Sequence, residues 1–83
     1  MIIRSTRYAI RTEILSKRQS EILLWIAEGK TQREITLILG ISTQAVEYNI
    51  RQAKERLQAE TATEAVVLCW ARGNMRRRVK NGK

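Results

Sequence analysis

Five polar side chains recur on one side of a helical pattern between Thr43 and Ala59: Gln44, Glu47, Tyr48, Arg51 and Lys54. Their chemistry suits the edges of nucleic-acid bases. An arginine grips guanine O6 and N7 with two hydrogen bonds, a glutamine pairs with adenine, and a carboxylate accepts from cytosine N4. Tyr48 can pack on a thymine methyl or donate to a phosphate, and Lys54 suits backbone charge. The same face also has a plain reading as a solvated surface in which Glu47 holds Arg51 at the i+4 position, worth a few tenths of a kcal/mol.

Positioning such a face requires a buried one opposite. Val46, Ile50, Ala53 and Leu57 supply it at spacings of four, three and four residues. This third helix is expected over residues 43–59, with Ser42 as its N-cap. Before it, "TQREITLILGIS" reads as a short second helix over 32–39, with Ile35, Ile38 and Leu39 inward and Thr31 and Glu34 in capping-box spacing. Gly40 can take the positive φ of a sharp turn, and Ile41 returns an apolar group to the core. A helix, a three-residue turn and a second helix form the helix-turn-helix arrangement that reads DNA. Helix N-termini attract phosphate, so Thr31, Gln32, Ser42 and Thr43 are candidate backbone contacts, a role compatible with capping.

The flanks complete four helices. The first is expected over 17–28, capped by Ser16 with Gln19, with Ile22, Leu23, Ile26 and Ala27 as its stripe and Trp25 at the edge. The fourth is expected over 62–72, capped by Thr61 with Glu64, with Ala65, Val66 and Cys69 on one face and Val67, Trp70 and Ala71 beside it. The chain has no proline, so glycines must end these helices; Gly29, Gly40 and Gly73 each follow an amphipathic stretch. The expected fold class is therefore all-α, with an N-terminal arm or extra helix over 1–14, a helix-turn-helix domain over 15–73 and a basic, disordered tail over 74–83. Ile3, Ile10 and Ile14 would suit one side of a helix, while the residues between them suit an extended arm.

Composition narrows the function. The 83 residues form one small domain with no histidine and a single cysteine, which leaves no disulfide and no cysteine-based zinc site. Cys69 on an apolar stretch reads as a small buried hydrophobe. No paired acids suggest catalysis, so no enzymatic activity, metal or cofactor is expected, and no small-molecule ligand. No apolar run reaches the length of a membrane span, and a lone thiol fits a reducing cytoplasm, so a cytoplasmic setting is expected, nucleoid-associated if the chain binds DNA. The formal charge of +8 is concentrated at the ends: residues 15–73 hold eight basic and seven acidic groups, whereas Arg76, Arg77, Arg78, Lys80 and Lys83 crowd the last ten positions. That cluster attracts polyanions, and Arg76, Arg77 and Arg78 are candidate phosphate contacts.

From Leu15 to Gly73 the chain resembles the DNA-binding domain of LuxR-type (GerE-like) bacterial transcription regulators, most closely their quorum-sensing branch. Leu15, Arg18, Glu21, Leu23, Ala27, Gly29, Glu34, Ile35, Leu39, Ile41, Ser42, Val46, Leu57, Ala65 and Val66 carry the likeness, with Trp25, "EGKT" and "ILGIS". The resemblance implies a four-helix fold, base reading from Glu47, Tyr48 and Arg51, and phosphate contacts from Thr31, Ser42, Thr43 and Lys54. It also implies subunit pairing through the last helix at Val67, Trp70 and Asn74. The sequence departs from the family pattern at Ala45, Asn49, Thr36 and Glu47, where threonine, histidine, a small residue and a basic residue are frequent. These departures bear on base preference more than on fold.

The function expected is a sequence-specific transcription regulator of double-stranded DNA, working as a homodimer on an inverted repeat. Fourteen leading residues cannot form the sensor domain most such regulators carry, and the Met1 start with the basic tail favours a stand-alone regulator over an excised domain. Two alternatives share the pattern. One is an interaction protein that pairs with a full-length LuxR-type regulator. The other is a module like sigma-factor region 4 that binds RNA polymerase.

Overall fold

Three of the four helices begin where a hydroxyl side chain and a residue three positions on can satisfy the free N–H groups of the first turn. The computed structural model, which describes residues 1–79, shows both halves of the capping box at Ser16–Gln19 and at Thr31–Glu34. At Thr61 only one half forms: its hydroxyl accepts from Glu64 N, but the Glu64 carboxylate takes the backbone N–H of Glu60 instead, at 2.7 Å. Ser42 caps the remaining helix by accepting from Ala45 N at 3.1 Å. The helices are α1 (Lys17–Ala27), α2 (Gln32–Leu39), α3 (Thr43–Leu57) and α4 (Ala62–Ala71). Each ends at or one residue short of the sequence expectation, except α3, which stops two residues early. There Gln58 takes a left-handed conformation, φ 58°, and closes the helix without a glycine.

The all-α expectation is corrected. Residues 1–14 fold as two strands, β1 (Ile2–Arg4) and β2 (Tyr8–Arg11), and the stretch expected to be a disordered tail contributes a third, β3 (Met75–Arg77). The sheet is antiparallel throughout in the order β1-β2-β3, with Ile3 opposite Ile10 and Ile10 opposite Met75. One row of apolar side chains across three strands is the physical reason for the sheet. Ile10 and Met75 are wholly buried against α1 and α4, and each such burial is worth roughly 1.5–3 kcal/mol. No single strand of three or four residues shows enough alternation to be recognised alone. The part of the expected tail at 80–83 lies outside the described residues.

A polar clasp fixes the β1–β2 hairpin. The carboxylate of Glu28, at the C-cap of α1, accepts from Ser5 Oγ at 2.6 Å, from the Arg7 backbone N–H at 2.5 Å and from Arg7 Nε at 2.8 Å. The Arg7 guanidinium also donates to the Glu28 carbonyl at 3.0 Å. Burial pushes the Glu28 carboxyl pKa up, but the Ser5 and Arg7 hydrogen bonds and the Arg7 charge outweigh it and bring the value down to about 2.

Two clusters make the core. In the first, Ile10 and Met75 of the sheet meet Leu23, Leu24, Ala53, Leu57, Ala65 and Cys69. In the second, Ile22, Ile35, Val46 and Ile50 lock α2 to α1 and α3, with Trp25, Leu39 and Ile41 half-buried at its border. Cys69 is fully buried, and burial pushes its thiol pKa up, as suits an inert packing residue. Ile38, expected inward, is 43% exposed. The eight-residue α2 presents only a narrow stripe, Ile35 and then Leu39 one turn on, and Ile38 falls at its edge.

Candidate nucleic-acid interface

The site is built on two helices whose mutual angle is set by three residues. Gly40 sits at φ 66° and ends α2, donating its N–H to Thr36 O at 2.8 Å. Ile41 packs against the second core cluster, and Ser42 opens α3. A side chain at position 40 would meet open space, so glycine is required there by the backbone conformation and not by crowding.

The two halves of α3 are anchored separately. Val46 and Ile50 pack into the cluster that holds α2, while Ala53 and Leu57 pack into the cluster that holds the sheet. With those four residues buried, Gln44, Glu47, Tyr48 and Arg51 stand exposed on the outside and Lys54 is half-buried. None of the five enters an ion pair among the described residues. Glu47 and Arg51 therefore do not form the i+4 bridge that would mark an ordinary solvated face. Arg51 instead lies over the Tyr48 ring, 5.9 Å from its centroid, a cation–π contact worth about 0.5–1 kcal/mol at an exposed site. Asn49, one of the departures from the family pattern, turns back to the helix and donates to Ala45 O at 2.8 Å.

The helix N-termini differ as anion sites. In α2 the Glu34 carboxylate accepts the Thr31 backbone N–H at 2.8 Å, and that bond holds its pKa below the ordinary range. A negative charge thus already occupies this end, leaving Gln32 and the free proton of the Thr31 hydroxyl as its contacts. The first turn of α3 contains no acidic residue. Ser42 and Thr43 therefore border the more open positive end.

The remaining candidates divide. Strand alternation separates the three consecutive arginines: Arg77 pairs across from Tyr8, and Arg76 pairs across from Ala9, so they point to opposite faces of the sheet. Arg78 donates through Nη1 to Ser5 O at 2.7 Å. Val67 and Trp70 both lie exposed on α4, 55% and 41%. The Tyr8 ring of the hairpin meets Trp70 edge to face at 5.7 Å, a contact the sequence did not suggest. Asn74 faces elsewhere. It donates through Nδ2 to Arg11 O at 3.1 Å and accepts the Arg11 N–H, which stitches β2 to the start of β3. Among the described residues no group of histidine, cysteine and acidic side chains could hold a metal, and no helix is long and apolar enough to cross a membrane.

Similarity to known proteins agrees with this geometry. Residues 13–69 match the family described as bacterial regulatory proteins, luxR family, a span that takes in all four helices up to Cys69. Regulatory protein SdiA of Escherichia coli K12 is 43% identical over 56 residues, which cover 68% of this chain and 22% of that protein. Transcriptional activator protein EchR of Dickeya chrysanthemi is 44% identical over 55 residues, 66% of this chain and 22% of its own. The HTH-type quorum sensing-dependent transcriptional regulator RpaR of Rhodopseudomonas palustris is 39% identical over 67 residues, 81% of this chain and 28% of its own. The chain spans about a quarter of the length of these relatives. On the strength of the matched residues and the helix pair they form, it belongs to the luxR family of bacterial regulatory proteins.

Proposed function

We propose that this chain is a DNA-binding module of a transcription regulator, with α3 as the helix that enters the major groove. One observation carries the reading. The exposed side of α3 presents Gln44, Glu47, Tyr48 and Arg51 without ion pairs, while both ends of its buried side are fixed to separate parts of the core. A rigid helix with free donors and acceptors is what base readout needs. Arg51, which lies over the Tyr48 ring, is assigned to guanine, Gln44 to adenine and Glu47 to cytosine N4. Thr31, Gln32, Ser42, Thr43 and Lys54 are assigned to phosphates. The regulatory role, the cytoplasmic setting and the partners follow from the family and belong to the same proposal.

A homodimer on an inverted repeat is part of this reading, with Val67 and Trp70 as the contact on α4. Their exposure supports it, and Tyr8 would share the interface because it lies against Trp70. Asn74, tied to Arg11, is assigned to the sheet and not to this contact.

Selection from random duplexes at two salt concentrations, with solution mass measured alongside, tests the whole reading. Recovery of a palindromic motif by a species of twice the chain mass is the expected result. Recovery of no motif at either salt concentration overturns base readout. A motif without dyad symmetry, bound by a monomer, overturns the dimer alone.

A further inference from the structure

The sheet has a second face, and it is arginine-rich. Ile3, Ile10 and Met75 form the row turned to the helices, so the alternate positions of each strand point away from them. Arg4 and Arg76 flank Ala9 on that outer side, one from each edge strand, and Arg11 and Arg78 extend the patch in the two directions along it. Ala9 is itself buried beneath its neighbours. Together these residues line a shallow groove of about 300 Å³ beside a second of about 230 Å³, with Ala9 and Arg76 common to both.

No carboxylate neutralises the patch among the described residues. Glu28 is engaged by Arg7, and Glu13 by the Met1 ammonium at 3.5 Å. Arg4 and Arg76 stand two strand spacings apart, about 9–10 Å. Over that length a DNA duplex carries roughly six phosphates. The face also lies away from the reading side of α3: the inner row of the sheet and the buried residues Ala53 and Leu57 of α3 share one core cluster, so the outer face of the sheet and the exposed side of α3 are turned away from that core in different directions.

We infer that the outer face of the sheet is a second nucleic-acid contact, one that takes the phosphate backbone of a duplex segment other than the segment facing α3. For that first segment the inference rests on the function proposed above. The contact reads no sequence, because guanidinium groups on phosphates carry none. Its effect is to let one molecule hold two duplex segments. A lipid surface is disfavoured by the apolar side chains present: Ile2 and Val79 sit singly at opposite ends of the patch, and an interfacial face needs a continuous apolar stripe beside its cations.

The test holds a short duplex on a surface, loads the full chain at about 50 mM salt, and offers a second, fluorescent duplex from solution. The wild type is expected to stay on the first duplex and capture the second. Arg4→Ala/Arg76→Ala is expected to stay but to capture roughly tenfold less, and the salt slope of capture should fall by about 2. Arg4→Lys/Arg76→Lys, which keeps the charge, should restore most of the capture. Undiminished capture by Arg4→Ala/Arg76→Ala overturns the inference, since bridging then runs through α3 of two copies. Retention without capture also overturns bridging, and the alanine pair says which site is at fault. If the pair still stays on the surface duplex, the sheet is not a contact and α3 is. If the pair is lost from it, the sheet binds DNA and the α3 reading fails. Preferential capture of phosphatidylserine vesicles over the second duplex would overturn the assignment in favour of a membrane.

Discussion

Replacing Glu28 by glutamine should make the domain less stable at neutral pH and flatten its response to acid. Glutamine keeps the shape of the side chain and one acceptor but loses the charge that Ser5 and Arg7 surround. The Glu28 side chain is only 5% exposed, and its pKa falls from an ordinary 4.5 to about 2. That difference is equivalent to about 3 kcal/mol as a ceiling. The Arg7 side chain is half exposed, so solvent screening reduces the expected effect to about 1–2 kcal/mol. Because the folded pKa is depressed, the contribution is fully present above the unfolded value near 4.5 and is lost as pH falls toward 2. Urea unfolding at pH 7 and at steps down to pH 2.5 or so measures it. The wild type should lead the variant by about 1–2 kcal/mol at pH 7, about 4–16 °C in Tm for a domain of this size. That lead should shrink steadily below pH 4.5, to about a quarter of its neutral value at pH 2.5, where the folded Glu28 carboxyl approaches its pKa of about 2. Other carboxylates, Glu34 among them, titrate in both proteins and cancel in the difference. Parallel acid profiles, or equal stability at pH 7, would refute the claim that this clasp holds the hairpin to α1.

Backbone conformation makes a pair of predictions of opposite sign. Gly40→Ala should cost about 1–2 kcal/mol through strain alone, whereas Gln58→Gly should gain up to about 1 kcal/mol, both read by urea unfolding. Met75→Ala should cost about 2–4 kcal/mol, since Met75 is wholly buried between β2 and α4; a loss under 0.5 kcal/mol or so would show that β3 contributes no core. Arg51→Ala should weaken binding to the selected site by about 1–3 kcal/mol and relax base choice at one position, and equal weakening on all sequences would make Arg51 a phosphate contact.

The four helices were legible because each carries its own signals within a dozen residues. A hydroxyl cap starts each one, an apolar stripe repeats along it, and a glycine ends three of them. The sheet was not legible, for the opposite reason. β2 and β3 lie some sixty residues apart, and each becomes a strand only when the other supplies its hydrogen bonds and its apolar neighbour; Arg11 and Asn74 show this by bonding each other twice. The same distance hid the arginine face. Arg4 and Arg11 looked like scattered charges on an arm, and Arg76 to Arg78 like an undivided run. Pairing of the two ends of the domain sorted them by face. The α3 face was legible in outline, yet the partner of Arg51 was not. Spacing permitted both Glu47 at i+4 and Tyr48 at i+3, and the side chain lies over Tyr48.

That choice of partner gives Glu47 its meaning. A carboxylate on a helix facing DNA repels phosphate, and a bridge to Arg51 would have silenced it. If α3 enters the groove as proposed, an unbridged Glu47 lowers attraction to every duplex and rewards only a site that offers it a hydrogen-bond donor, such as cytosine N4. On that proposal the module would gain discrimination on α3 and give up general affinity there. The residues from Leu15 to Gly73 carry almost no net charge to make up the loss. The cations that could do so stand on the outer face of the sheet, on strands drawn from both ends of the domain and turned away from the core that the buried side of α3 shares. On the two proposals, base reading and most of the general attraction thus lie on different surfaces, which separate substitutions can tell apart. Substituting Glu47 should alter which duplex is preferred, and substituting Arg4 and Arg76 should alter how strongly salt opposes binding.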